Sequence, residues 1–515
     1  MQLDLKDMTL EQKLGFVMCA RVVYGMPDPD FVLEMVRKRA VGCIQIPTQD
    51  REFVEKVRAC ADYPILIIND AEQGFPASKL PKVQQMTLAA TADEEAVRAF
   101  AKGIVHDAQE TGFNAAWGPL LDVLRCDGPC KVHRVFSDDP QVVTRYAQIM
   151  NEVMVQNHFL GTGKHYPGQG GMVMDTHVGE DRIDVSRDEL LEFDLKPYLQ
   201  LMEKGLLRAI MTTHSTFPQI DPVYPASLSK KVIDVIREKG FDGLCFTDSF
   251  AMMSILQQYG EENIYGMALA AGNDLILPNF RGSHRKALEM LRKNFEDGVF
   301  SRERLDEAVR RVLEAQAFVA GQDGICEFTP QDRKLLEGVA QTCITAVTDP
   351  GVASALSDQQ RLFVVMTGMD FEEGAEVATG IWYDPGRVAK AVEQNFPGSQ
   401  VHFFPEFPTS KDVERMLVQA AKYREVVFVT FCTTSPYIGT DGLTRRAEAA
   451  INSLIDARKM AAVVHFGNPL AVENLHHVPR MFFGYMMQQS QFSAMEALAG
   501  KFVPTGKLPF QVVLP

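Results

Sequence analysis

Asp175 and His177 stand two residues apart in LGTGKHYPGQGGMVMDTHVG, residues 160–179. At that spacing in an irregular segment the carboxylate can hydrogen-bond one imidazole nitrogen and leave the other facing a ligand. The result is an oriented, basic histidine. Lys164 and His165 lie earlier in the same stretch, where an apolar run ends. Nothing about folding asks for a Lys-His pair there, and a charged pair at a strand's carboxyl end points to a site. Pro167, Gly168, Gly170 and Gly171 follow, so no regular element persists between the two pairs. The stretch reads as a strand feeding a long loop that carries groups able to move protons.

The elements that must position these groups recur along the chain. Apolar or β-branched runs at 41–47, 64–70, 114–123, 160–166, 207–215, 243–249 and 273–279 alternate with helical stretches, and Leu14 to Ala20 offers a weaker eighth. Runs that are apolar throughout are buried on both faces, which requires a parallel sheet with helices outside. Eight such βα units close into a barrel. Asp70, Asp122, the Lys164-His165 pair, His214, Asp248 and Asn279 each fall at the carboxyl end of a predicted strand. In a βα barrel those ends converge on one face. An aspartate after a strand is also a common helix N-cap, and for Asp122 alone that reading serves equally well; six such positions together mark a site. A helix from Ser301, its candidate N-cap, to a stop at Gly321 finishes the barrel. After a linker and a helix near 331–345, apolar runs resume in RLFVVMTG, VHFFPE, EVVFVTFCTT, AAVVHFG and RMFFGYM. The expected organisation is α/β: a (β/α)8 TIM-type barrel over residues 1–325 and a smaller α/β domain over 326–515.

Composition narrows the partners. In 515 residues, 52 Lys and Arg face 67 Asp and Glu, a net charge of −15 that repels nucleic acid and anionic membranes. No run of about eighteen apolar residues predicts a membrane span. The N-terminus lacks the basic start and long apolar core of a signal peptide. Nine cysteines without a C-x-x-C pair fit buried thiols in a reducing compartment, so the protein is expected to be cytoplasmic. No HExxH or clustered ligand set occurs, so no metal or cofactor is expected.

Most of residues 10–320 resembles glycoside hydrolase family 3, in its branch of β-N-acetylglucosaminidases. KHYPGQGGMVMDTH is similar to that branch's KHFPGHG-x-x-x-x-DSH. THSTFPQID, PASLS and GFDGLCFTDSFAM are similar to its later run, and GFNAAWGPLLDV, RVFSDDP at 134–140 and ALAAGNDLIL at 268–277 agree. The resemblance implies a barrel followed by an αβα sandwich, and retention of anomeric configuration. It assigns Asp248 as catalytic nucleophile, His177 as general acid/base and Asp175 as the residue that orients it. It also implies that Asp70, Arg134, Lys164 and His165 hold hydroxyl and acetamido groups of the first sugar; His214, in THSTFPQID, joins them as a substrate-binding residue.

The chemistry of the residues agrees. An oxocarbenium-like transition state needs an anion below the ring and a proton donor beside the leaving oxygen. An imidazole titrating near neutrality can donate in one step and accept in the next, with Asp175 raising its proton affinity. Two departures bear on the substrate. Where the family reads D-x-E-G-G-R, this chain has Asp70-Ala71-Glu72-Gln73-Gly74-Phe75, and Gln169 replaces the histidine of PGHG. The expected activity is exo-acting release of β-linked N-acetylglucosamine, in cell-wall recycling or amino-sugar salvage. Phosphorolysis of the same bond, a β-glucosidase or other β-hexosidase, and a catalytically silent sugar-binding protein remain alternatives. The second domain, with DGLTRRAEA and PTGKLPFQV similar to two-domain members, is read as a packing module that could support a homodimer.

Overall fold

The computed structural model describes residues 3–22, 28–128, 131–357, 359–368, 382–432, 436–437 and 442–513. The chain divides into two compact units: Met1–Leu80 with Val97–Lys131 and Asp139–Arg333, and Pro81–Ala96 with Val132–Asp138 and Lys334–Pro515.

The first unit is a (β/α)8 barrel. Its strands are β1 Ala20–Arg21, β2 Cys43–Gln45, β3 Leu66–Asp70, β4 Ala115–Leu120, β5 Leu160–Tyr166, β6 Ala209–Thr212, β7 Leu244–Ser249 and β8 Leu275–Leu277. They lie side by side in chain order, and every pair is parallel. The Cys19 amide donates to Ile276 O at 2.8 Å and the Ile276 amide to Val17 O at 2.9 Å, which closes the ring. The run from Leu14 to Ala20 is not the strand expected of it. Thr9 and Gln12 form a capping box that starts a helix at Leu10–Phe16, and the strand begins only at Ala20.

Helix Lys230–Arg237 shows how the outer layer is held. Ser229 caps it by accepting from the Val232 amide, and Val232, Ile233, Val235 and Ile236 are buried while Lys230 and Lys231 face solvent. Its inner face meets Tyr166, Tyr198, Ile210 and Cys245 in one apolar cluster, where the Tyr166 hydroxyl donates to Val232 O at 2.7 Å. The two ends of β8 carry different chemistry. At its amino end the fully buried Asp274 accepts from Arg237, Arg304 and Arg311, a structural use of charge. The carboxyl ends are left to the site.

The second unit is an αβα sandwich. Its strands are β9 Thr345–Thr348, β10 Leu362–Thr367, β11 Gln400–Pro405, β12 Val426–Phe431, β13 Met460–Phe466 and β14 Arg480–Phe483. The sheet order is β11-β10-β12-β13-β14-β9, parallel except where β9 runs antiparallel to β14. β10, β12 and β13 are buried along their length, as strands covered on both faces must be. The helix expected near 331–345 spans Pro330–Thr342 and gives way to β9, an edge strand the apolar pattern did not reveal. No helix among the described residues is long and apolar enough to cross a membrane. The eight described cysteines carry free thiols.

Candidate active site

Six strand ends, those of β1 and of β3 to β7, bring the chemistry together. At the end of β5, the Lys164 ammonium is almost fully buried and reaches Asp70, at the end of β3, at 2.9 Å, and Glu72 at 2.5 Å. A single cation thus ties two carboxylates at the barrel mouth, and Asp70 still exposes half its side chain. His165 turns to the other side. Its Nδ1 lies 2.8 Å from Asp122 Oδ2 and its amide donates to Asp122 Oδ1 at 3.1 Å.

Asp122, fully buried just past β4, also accepts from the Gln169 amide at 2.7 Å and pairs with Lys131 at 3.3 Å. Burial alone would raise its pKa, but the charges of Lys131 and His165 and these hydrogen bonds hold it far below the ordinary carboxylate range. It is not a helix cap but a clamp between the β4 end and the loop after β5. Gly170 permits that clamp: the Arg125 amide donates to Gly170 O at 3.0 Å, and a Cβ on Gly170 would lie 1.6 Å from Val123 O.

Beyond the clamp the loop carries Asp175 and His177. The Asp175 carboxylate is buried, accepts from the His177 amide at 2.9 Å and sits 2.7 Å from its Nδ1. A carboxylate can only accept, so Nδ1 carries the hydrogen and Nε2 is the nitrogen that exchanges a proton. The loop is fixed to the segment after β7: the Met253 amide donates to His177 O at 3.4 Å and the Ser254 amide to Thr176 O at 3.2 Å. That segment follows Asp248 by five residues.

Asp248 ends β7, nearly buried, and accepts from the Ser249 amide at 2.7 Å. Burial would raise its pKa, yet His165, His214, the Ser249 amide and His177 together keep it below the ordinary value. It is held anionic. His214, past β6, has both ring nitrogens engaged, Nδ1 with Ser227 Oγ at 2.7 Å and Nε2 with Ser249 O at 3.0 Å, and its ring stacks on Phe250. A carbonyl only accepts, so Nε2 carries the hydrogen. Burial lowers the His214 pKa, with Asp248 and the Ser249 carbonyl only partly opposing, and the ring braces Ser249.

Three groups here escaped the reading of the sequence. Arg21, at the end of β1, donates to Gln45 Oε1 at 2.7 Å, Ser249 Oγ at 2.6 Å and Pro278 O at 2.9 Å. Burial lowers its pKa while the negative charges of Asp70 and Asp248 among others oppose, which places a guanidinium within the field of both carboxylates. Glu72 and Lys131 are the others. Asp70, Lys164, His165, Asp175, His177, His214 and Asp248 all belong to the barrel. Arg134 is half-buried in a turn of Val132–Asp138, part of the second unit. Asn279 sits past β8, its amide bonded to the Tyr265 hydroxyl at 3.3 Å. Among the described residues, His106, Asp107 and Glu110 bring three potential metal ligands together, but on the outer helix Glu94–Glu110, with His106 Nδ1 already 2.7 Å from Cys326 O.

Residues 9–315 match the glycosyl hydrolase family 3 N terminal domain. A β-hexosaminidase of Idiomarina loihiensis is 32% identical over 241 residues, 44% of this chain and 71% of that protein. In fold, a family 3 β-N-acetylglucosaminidase from a Paenibacillus species superposes with a TM-score of 0.82 at 24% identity, over 99% of this chain and all of the other. A β-glucoside phosphorylase superposes equally well, TM-score 0.82 at 21% identity, over 98% of this chain and 95% of that one. With the match spanning the whole barrel, and the strand-end carboxylates and histidines where such a barrel collects its chemistry, this chain belongs to glycosyl hydrolase family 3.

Proposed function

We propose that this protein is a retaining, exo-acting β-N-acetylglucosaminidase in which Asp248 is the nucleophile and His177 the acid/base. The observation that carries the reading is the Asp175–His177 pair, fixed by backbone bonds to the segment that follows Asp248. Family membership and the β-hexosaminidase relative support it.

In the first step the Asp248 carboxylate attacks the anomeric carbon, the bond to the leaving oxygen breaks, and His177 Nε2 gives its proton to that oxygen. The neutral imidazole then takes a proton from water, which attacks the same carbon and frees Asp248. Two displacements at one carbon retain configuration. Asp175 matters in both steps because it fixes the tautomer and the orientation of the ring. Asp70, Lys164 and His165 are assigned to the sugar's polar groups; His214 contributes through Ser249, and Arg134 enters only through its RVFSDDP match. Residues 1–325 form the proposed catalytic module, with 326–515 for packing and a possible homodimer. The acidic composition and free thiols suit a cytoplasmic role in salvage of cell-wall amino sugars.

The test compares nitrophenyl β-N-acetylglucosaminide with the β-glucoside, and repeats the first with inorganic phosphate. We expect kcat/KM at least about tenfold higher with the acetamido group, since a site that binds it leaves polar groups unpaired without it. The first product should be the β-anomer of the free sugar. Preference for the glucoside, or accumulation of sugar 1-phosphate, would overturn the reading.

A further inference from the structure

A proton from His177 must reach the leaving oxygen, so the aglycone lies on the side of the barrel mouth where the His177 loop stands. Apolar side chains are exposed there. Val178, adjoining His177, is 44% exposed and Met174 45%. Helix Met253–Tyr259 starts against this loop, where its Met253 amide meets His177 O. At 1.5 Å per residue it is about 10 Å long. It ends at Tyr259, whose hydroxyl donates to Val223 O at 2.9 Å and whose ring centre lies 6.1 Å from that of Tyr224. Val223 is 61% exposed and Tyr224 38%. Bridges from Thr216 to Arg182 and to Pro225 tie the loops after β5 and β6 together, so their spacing is built in.

The loop after β5 therefore exposes Met174 and Val178 beside His177, and the loop after β6 exposes Val223 and Tyr224 at the far end of helix Met253–Tyr259, two apolar ends of one shelf. Valine and methionine offer nothing to a sugar's hydroxyls. Of the polar side chains along its border, Glu180 accepts from Arg182 at 2.7 Å and Asp184 from Gln219 at 2.9 Å, while Gln257 and Gln258 are exposed on the helix. Methionine adapts its shape to varied apolar surfaces, and tyrosine supplies a flat one.

We propose that this shelf is an aglycone subsite that favours an alkyl or aryl group over a second sugar. The inference rests on His177 being the proton donor.

Alkyl β-N-acetylglucosaminides test it, because lengthening the chain from methyl to octyl adds apolar surface while the leaving alkoxide stays chemically alike. The expected result for the native enzyme is an octyl-to-methyl ratio of kcat/KM of about ten or more, from partial burial of the added methylenes. Val223→Asp and Tyr224→Ser should each pull that ratio toward one. Ile325→Asp, an exposed apolar position elsewhere on the barrel unit, should leave it as it was. A flat series in the native enzyme, a ratio unchanged in both shelf variants, or a higher kcat/KM for the chitobioside than for the octyl glycoside would overturn the subsite while leaving the reaction intact. No turnover of any member would overturn the reaction itself, and the subsite with it.

Discussion

In the proposed mechanism an imidazole stands in for the usual carboxylic acid of a glycosidase, and Asp175 supplies what that requires by fixing the tautomer and orientation of His177. The value of that proton depends on the leaving group. His177→Ala should cut kcat/KM on an alkyl glycoside by about 10² to 10⁴, the usual worth of general acid catalysis. It should cost far less on a dinitrophenyl glycoside, whose phenolate leaves unaided. Equal losses on both would make His177 a binding residue. The pairing of Asp175 with His177 was legible in the sequence because the two stand two residues apart, and the place of Asp248 because it closes an apolar run. Arg21 was not, since its partner Ser249 is 228 residues away and no spacing along the chain announces it. Lys131 was hidden for another reason: it lies nine residues from Asp122, in a loop whose path no periodicity predicts.

At the scale of elements, the loop after β5 works because Asp122 fastens it to the end of β4. Asp122→Asn removes the charge opposite Lys131 and His165 and puts a donor where Asp122 Oδ2 meets them. Breaking a buried pair in this way costs about 3–5 kcal/mol, and urea unfolding of the barrel unit should show it. The pH dependence has a definite sign. The folded-state pKa of Asp122 is depressed, so its stabilisation is complete above the unfolded value of about 3.9 and is lost as pH falls below that toward the folded value. The gap between native and variant stability should be constant near neutrality and shrink below about pH 4. A gap that stays open in acid would show that Asp122 holds the loop by shape rather than charge. Strand positions were readable from apolar runs bounded by glycine and polar residues. The first was misplaced because Leu14, Phe16 and Val17 are apolar for helix packing as well as for a strand, and the capping box at Thr9 decides in favour of the helix. The edge strand β9 alternates too weakly to stand out, only Thr345 being fully buried.

At the scale of the whole molecule, a closed parallel barrel lets residues as far apart as Arg21 and Asp248 face one opening, because every strand ends on the same side. That convergence is why a pattern of polar residues at strand ends could be read as a site before any geometry was known. The sandwich unit gave no such signal. Its buried strands carry His465 and Thr430 bonded to each other at 2.8 Å, polar groups satisfied within the core. In the barrel, the proposed reaction attaches a sugar covalently to Asp248 and releases it with its configuration retained. The direct measurement is mass spectrometry of the intact chain after incubation with a fluorinated N-acetylglucosaminyl fluoride, which forms the glycosyl-enzyme quickly and releases it slowly. The intact mass should rise by one fluorinated glycosyl group, the peptide map should place it on Asp248, and Asp248→Ala should show no rise. An adduct on another residue, or an unmodified chain that still turns over substrate to the α-anomer, would contradict the account.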